Sequence, residues 1–400
     1  MAQQHTAPHT PGAPLRTIMA DGRELIYFFD TFQAPTGFTP PSDTRELPPR
    51  PPVSELRYDA LSGDWISFAA HRQARTHLPA ASECPLCPTR AEQPSEIPAP
   101  DYDVVVFENR FPSFGPEQHS SDTSAVLGAK RPSHGRCEVI TFGPGHTDSL
   151  ASLGPTRIRT VIDAWAQRTA ELGALPGIEQ VFPFENRGAE IGVTLHHPHG
   201  QIYSYPYVTP RTENQLARAA EHRSRTGTNL MADVLDFELT DGSRIIERGT
   251  YFTAFVPYAA HMPIEVLLVP NRQVATLDEL TNDERDELAT MYHRLLCTID
   301  ALYPTPTPYI AGWFQAPANH PQRDEAWLHL QLTSPRRAAD KMKYLAGSEA
   351  VMGAFIGDVT PESSAAALRA AAARIAANPT GTAPTHSIST STPAEQSTTA

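Results

Sequence analysis

The feature that most constrains the fold is an internal echo. Glu138-Val-Ile-Thr-Phe, followed by Leu150, recurs as Glu265-Val-Leu-Leu-Val, followed by Leu277. Each run reads as a strand and leads into a long helical pattern. Each block then ends in a strand that contains histidine, His197 and His199 in the first and His329 in the second. Self-similarity of this kind marks a duplicated unit whose apolar face is completed by its copy. In the first block strands are expected at 104–107, 137–142, 178–185 and 192–205. A helix over 156–172 is expected from the apolar spacing of Ile158, Val161, Ile162, Trp165 and Leu172. In the second block strands are expected at 251–257, 264–270, 308–313 and 327–332. Its helix, over 278–302, opens near Thr281-Asn282-Asp283-Glu284, a cap with an acidic first turn. The pattern predicts an α+β fold of two tandem halves. Antiparallel sheet with helices packed on it fits better than a doubly wound parallel sheet.

Residues 1–50 read as a mostly flexible extension with a possible short strand at 23–28 and a Pro-rich link. The halves span 51–210 and 211–360, and 361–400 reads as a helix remnant with a disordered tail. The packed body is expected from about 56 to 355. A net charge of −13 argues against nucleic acid or an anionic membrane as the main partner. A phosphate-bearing substrate then needs a local basic pocket. No signal peptide or membrane span is visible. Four cysteines are too few for a disulfide scaffold, which points to a reducing cytoplasm.

The stretch His196-His197-Pro198-His199-Gly200-Gln201 concentrates the chemistry. Imidazole is a nucleophile, a metal ligand and a proton carrier. In an extended strand Gln201 shares a side with His199 and brings amide donors beside it. Gly200, lacking a Cβ, lets a backbone or phosphate approach. This set suits attack on phosphorus; a plain surface histidine cluster is the alternative. Cys84-Pro-Leu-Cys87 has the gap that lets two thiolates reach one tetrahedral ion. His146, at the end of a Gly-Pro-Gly-His turn, and His197 are candidates for the other two ligands. A redox pair and an unliganded pair are the alternatives. Asn186, Gly192 and Thr194 suit a sugar or phosphate wall, although alone they are ordinary loop residues. Arg72, Arg75, Lys343 and Glu349 are by default solvated charges.

Taken in order, RYxxLxGxW from Arg57, HRxxR from His71, CPLC, FENRGAExG, HPHGQI and GWFQAP from Gly312 resemble the galactose-1-phosphate uridylyltransferase family of the histidine-triad superfamily. The resemblance covers about 56–349. It implies two tandem histidine-triad-like halves in a half-barrel of mostly antiparallel sheet. His199 is implied as the nucleophile that takes a uridylyl group from UDP-glucose and passes it to galactose 1-phosphate. Gln201 is implied as its phosphoryl partner. Arg72 and Arg75 are implied as phosphate ligands, reaching the active site of a partner subunit. Asn109, Asn186, Gly192, Thr194, Lys343, Gly347 and Glu349 are implied to line the nucleotide and hexose sites. Cys84, Cys87, His146 and His197 match the family's structural zinc ligands, and the assembly the resemblance implies is a homodimer with composite active sites.

The chain departs from the family pattern where some relatives hold a second metal. Phe314 stands in place of a histidine, the paired motif reads Leu328-His329-Leu330-Gln331, and the expected glutamate aligns near Gln215, with Glu213 a possible substitute. The second metal site is therefore predicted absent. Thr194 replaces serine, Ser348 a tyrosine and Phe355 a glutamine. Two other readings stand beside the transferase. One is a related nucleotide phosphorylase or adenylyltransferase; the other is a noncatalytic, zinc-stabilised nucleotide-binding protein.

Overall fold

The computed structural model of the protein describes residues 12–50, 54–74, 78–90, 93–116, 123–125 and 127–378. The strands of the N-terminal part are β1 (Leu15–Ile18), β2 (Glu24–Phe28), β3 (Glu55–Tyr58), β4 (Trp65–Phe68), β5 (Val104–Glu108), β6 (Lys130–Pro132), β7 (Arg136–Thr141), β8 (Gln180–Arg187) and β9 (His199–Tyr205). Those of the C-terminal part are β10 (Ile245–Arg248), β11 (Phe252–Phe255), β12 (Ile264–Pro270), β13 (Tyr309–Phe314) and β14 (His329–Ser334), with β15 (Arg336–Ala338) and β16 (Lys341–Met342) as a small hairpin. The helices are α1 (Leu150–Gly173), α2 (Pro210–Thr226), α3 (Leu230–Asp241), α4 (Asn282–Asp300), α5 (Gly347–Ala350) and α6 (Pro361–Ala377).

Among the described residues eleven strands form one antiparallel sheet in the order β1-β2-β5-β7-β9-β8-β13-β14-β12-β11-β10. The duplication shows in that order. β5-β7-β9-β8 of the first half faces β13-β14-β12-β11 of the second, and the halves join where Arg187 pairs Tyr309 and Phe184 pairs Gly312. Helices α1 and α4 lie together on one face, burying Ile158, Val161, Ile162 and Trp165 with Leu288, Met291, Tyr292 and Leu295. The echoed leucines, Leu150 and Leu277, are both fully buried at the start of these helical segments. Thr281 caps α4, its hydroxyl accepting from the Glu284 N–H while Glu284 accepts from the Thr281 N–H. In α1 the helical turn that starts at Leu150 breaks at Gly154, whose φ of 82° lies in the left-handed region, and the continuous helix begins after Pro155.

Three expectations are corrected. Residues 12–50 are not a loose extension: β1 and β2 extend the sheet beside β5, with Leu25, Ile26 and Tyr27 buried. The packed body also continues past 355, because α6 buries Ala365, Leu368 and Ala371. The expected strand at 192–205 begins only at His199. The preceding residues turn instead, with Gly192 left-handed (φ 81°) after a 3-10 turn and Pro198 without an N–H to donate.

Candidate active site

Strand β9 alternates strictly, so His199, Gln201, Tyr203 and Tyr205 face one side and Gly200, Ile202 and Ser204 the helix-covered side. Gly200 is therefore not where a phosphate approaches. A Cβ there would stand 2.9 Å from the Phe184 carbonyl and 3.0 Å from the Phe142 ring, so glycine is required by core packing. His199 is half-buried, and its Nδ1–H donates to the carbonyl of His197 at 2.7 Å. Burial lowers its pKa, and that backbone bond opposes the shift. The neutral ring with a proton on Nδ1 leaves the Nε2 lone pair as the reactive position. Beside it, the Tyr203 hydroxyl donates to Gln201 Oε1 at 3.1 Å, and Arg72 Nη1 donates to the Tyr203 oxygen at 3.3 Å. The carbonyl end of the Gln201 amide is thus engaged, which leaves its NH₂ donors for a ligand.

His199 lines two cavities. One of about 600 Å³ gathers His199, Gln201, Arg72, Asn109 and Thr194, with Phe107, Phe111, Val139 and Leu195 as apolar wall. The other, about 320 Å³, includes His199, Asn186 and His146. A third, wider cleft holds Gly192 together with Arg72 and Thr194. Arg72 lines the same large cavity as His199 of its own chain. Arg75 lies outside the described residues. Lys343, Gly347 and Glu349 line none of these three cavities. Lys343 and Glu349 pair at 2.7 Å, and Glu349 accepts from the N–H groups of Ala346 and Ile356, tying the segment around α5. That segment exposes Tyr344 (79%), Val351 (79%) and Met352 (77%).

Cys84, Cys87, His146 and His197 form one cluster whose ligand atoms all lie within 4.8 Å of one another. Cys87 Sγ is 3.3 Å from His146 Nδ1 and 3.5 Å from His197 Nδ1. A tetrahedron with zinc-type bond lengths has a nitrogen–sulfur edge of about 3.5 Å. His197 Nε2 donates to the Gly143 carbonyl at 2.9 Å, which turns Nδ1 toward the cluster. Tyr102 buttresses the same turn by donating to Gly143 O at 2.8 Å. Burial and the neighbouring Cys84 push the Cys87 thiol up to about 12, so two thiolates here need a cation. The donor set fits a metal ion. His196 is exposed and takes no part.

The second half retains more of the echo than its sequence suggests. His329 donates from Nδ1 to the Trp327 carbonyl at 2.8 Å, as His199 does to His197, and Gln331 stands two residues on. Its surroundings are closed. Phe314 stacks on the His329 ring at 4.9 Å and 1°, Arg211 lies 4.9 Å over Phe314, and Gln331 donates to Glu265 at 2.6 Å. Glu213 pairs with His320 at 3.1 Å instead. A single imidazole under an aromatic lid does not fit the second metal of the family.

Glu185 sits across from Gly200 on the core face and accepts from the Tyr309 hydroxyl at 2.9 Å. Tyr309, Tyr292, Arg187 and Asp300 face it. Burial pushes its carboxyl up to about 7, against the opposing pull of Tyr309 and Arg187. The unfolded carboxyl ionises near 4.5. The folded state therefore holds more protons between about 4.5 and 7, and stability falls as pH rises through that window, by up to about 3 kcal/mol. Glu185→Gln keeps the acceptor for Tyr309. It is expected to match the wild-type thermal midpoint at pH 5 and exceed it by several degrees at pH 8. Parallel pH profiles of the two proteins would contradict this.

The fold and the histidine–glutamine centre define a nucleotidyltransferase of the histidine-triad type. A family model described as galactose-1-phosphate uridyl transferase, N-terminal domain, matches residues 49–209, and its C-terminal counterpart matches 213–378. The chain belongs to the galactose-1-phosphate uridylyltransferase family. It is 44% identical to the galactose-1-phosphate uridylyltransferase of Streptomyces lividans over 80% of this chain and 86% of that protein. It is 33% identical to that of Thermotoga maritima over 79% and 98%. A solved uridylyltransferase structure superposes with a TM-score of 0.70 at 30% identity, over 80% of this chain and 99% of that one. An ADP-glucose phosphorylase from Arabidopsis thaliana shares the fold at a TM-score of 0.61 and 22% identity, over 79% and 98%.

Sequence reasoning missed Tyr203, Tyr102 and the part of the large cleft contributed by residues 45–47. Tyr203 was accessible through the same two-residue period that linked His199 to Gln201.

Proposed function

We propose that the enzyme transfers a uridylyl group from UDP-glucose to galactose 1-phosphate by two displacements at His199. The observation that carries this is the 2.7 Å bond from His199 Nδ1 to the His197 carbonyl, which leaves Nε2 free beside Gln201. Nε2 attacks the α-phosphorus. The bond to the bridging oxygen breaks, and its electron pair leaves on glucose 1-phosphate, which needs no proton at neutral pH. The imidazole now carries positive charge, and the Nδ1–H bond to His197 O stabilises it. A phosphate oxygen of galactose 1-phosphate then attacks the same phosphorus from the emptied side and the N–P bond breaks. Gln201 NH₂ donates to a nonbridging oxygen as charge builds. Arg72 offsets phosphate charge, while Asn109, Asn186, Gly192 and Thr194 line the substrate.

Cys84, Cys87, His146 and His197 hold one structural zinc ion in this reading. It supplies charge to the thiolates and a fixed frame for the turn and strand around His199. A reducing cytoplasm keeps both thiols available. A second copy of the chain completes the site. The exposed apolar residues around α5 and the separation of Lys343, Gly347 and Glu349 from the His199 cavities support a homodimer.

Incubation with UDP-glucose alone, followed by intact mass, is expected to show one uridylyl adduct, discharged by galactose 1-phosphate. An adduct formed only from an adenine nucleotide would support a phosphorylase or adenylyltransferase instead. Nucleotide binding without any adduct would indicate a noncatalytic protein. Tyr203→Phe is expected to lower kcat roughly tenfold and Gln201→Ala roughly a hundredfold. The double variant should be no worse than Gln201→Ala, since Tyr203 acts through that amide. Additive losses would separate the two.

A further inference from the structure

The matched N-terminal family domain begins at residue 49, yet the chain before it is built into the site. After β2 the chain runs as a Pro-containing strap to Arg50. Phe38 packs edge-on against Tyr27 and Phe29, at 5.7 and 5.5 Å between ring centres. Ion pairs with little access to water fasten the rest. Arg23, fully buried, donates to Asp21 at 2.8 Å, to Glu96 at 2.6 Å and to the Glu108 carbonyl at 2.8 Å. Arg45 pairs with Asp43 at 2.7 Å and with Glu96 at 3.3 Å, and Arg50 pairs with Glu108. Glu96 belongs to the loop that follows Cys84 and Cys87, where its N–H donates to the Pro85 carbonyl. The strap is thus riveted both to β5 and to the loop carrying two metal ligands.

Arg45, Glu46 and Leu47 line the same cavity of about 600 Å³ as His199 and Gln201. The phosphoryl end of a nucleotide there is fixed by His199, Gln201 and Arg72. Arg45 is already neutralised by Asp43 and Glu96, so the strap offers phosphate no free charge. What it adds is the half-buried Leu47, to a cavity wall that includes Leu86, Pro94 and Phe111. We propose that residues 45–47 form a specificity-determining wall of the nucleotide site, with Leu47 against the base and ribose and the Arg45–Glu96 pair positioning it. This rests on the reading that the uridine diphosphate occupies this cleft.

A ping-pong cycle separates the strap's contribution from a general defect. UDP-glucose must be captured from solution, whereas galactose 1-phosphate meets an enzyme that already holds the uridylyl group covalently. Leu47→Ser is expected to lower kcat/KM for UDP-glucose roughly tenfold and leave kcat/KM for galactose 1-phosphate within about twofold. It should also narrow the preference for UDP-glucose over ADP-glucose. Arg45→Gln should reproduce the pattern, and Leu47→Met should restore most of it. All three should keep the wild-type thermal midpoint within a few degrees, Arg45→Gln least closely. Equal losses for both substrates, or unchanged values for both, would overturn the proposal while the wild type still forms its uridylyl adduct. Failure of the wild type to form that adduct would overturn the parent reading and this one together.

Discussion

His199→Ala is expected to lower kcat by at least about 10⁴-fold and to abolish the uridylyl adduct, while UDP-glucose still binds within a few-fold of wild type. Removing the group that forms the covalent bond costs losses of this order in other nucleophile-dependent enzymes. The larger cavity holds no second imidazole among the described residues, and Gln201, Asn109 and Thr194 there are neutral donors. In the smaller one His146 and His197 belong to the metal cluster, and exposed His196 is the imidazole that the variant's intact mass would reveal as a substitute. The second half of the chain offers no substitute either, since His329 is buried beneath Phe314. The fold should survive, because the half-buried ring contributes one backbone hydrogen bond, about 1 kcal/mol. Three measurements check this: single-turnover rate, intact mass, and calorimetric titration with UDP-glucose. Retention of more than a few per cent of wild-type kcat, or an adduct in the variant, would remove His199 from the mechanism.

What was legible in the sequence was what local pattern encodes. Strand β12 spans 264–270 as expected because its apolar run is bounded by Pro263 and the Asn271-Arg272 turn. Helix α4 starts at the expected cap because Thr281 and Glu284 carry the cap in their own side chains. His199 and Gln201 share a face because strand geometry leaves them no choice. Helices α2 and α3 were not foreseen. Helix α2 buries only Thr212, Leu216 and Ala219, too thin a stripe to stand out from its charged face. Helix α6 is alanine-rich and adjoins a Ser/Thr/Pro tail, so composition hid the buried positions Ala365, Leu368 and Ala371. The strap reads as a proline-rich linker because its fastenings, such as Arg45 to Glu96, join residues far apart in the chain. Lys343 and Glu349 have the residue types of a substrate site. In one chain they satisfy each other, away from the His199 cavities.

The second large effect is expected at the metal cluster. Elemental analysis of the wild type should find about one zinc per chain; two tightly held ions would contradict the assignment. Cys87→Ser should reduce zinc to a small fraction of that, lower the thermal midpoint by roughly 10 °C and remove most activity. The reason lies in how the ligands are distributed. Cys84 and Cys87 begin the loop whose Glu96 holds the strap, and His146 ends the turn after β7. His197 stands two residues before the nucleophile. The carbonyl of His197 is also the acceptor for His199 Nδ1. Loosening His197 therefore releases the bond that holds the reactive tautomer, so metal loss reaches the chemistry without any step passing through the ion. The two variants should then fail differently. His199→Ala keeps its zinc, its thermal midpoint and its nucleotide affinity, whereas Cys87→Ser loses all three along with turnover. A zinc-free Cys87→Ser enzyme with wild-type kcat would show that the nucleophile strand holds its geometry unaided. The paired register of β9 with β7 and β8 begins at His199, with one further backbone bond from the Phe142 N–H to the Pro198 carbonyl. His197 and its carbonyl lie just before it, in the turn that the metal ligands surround.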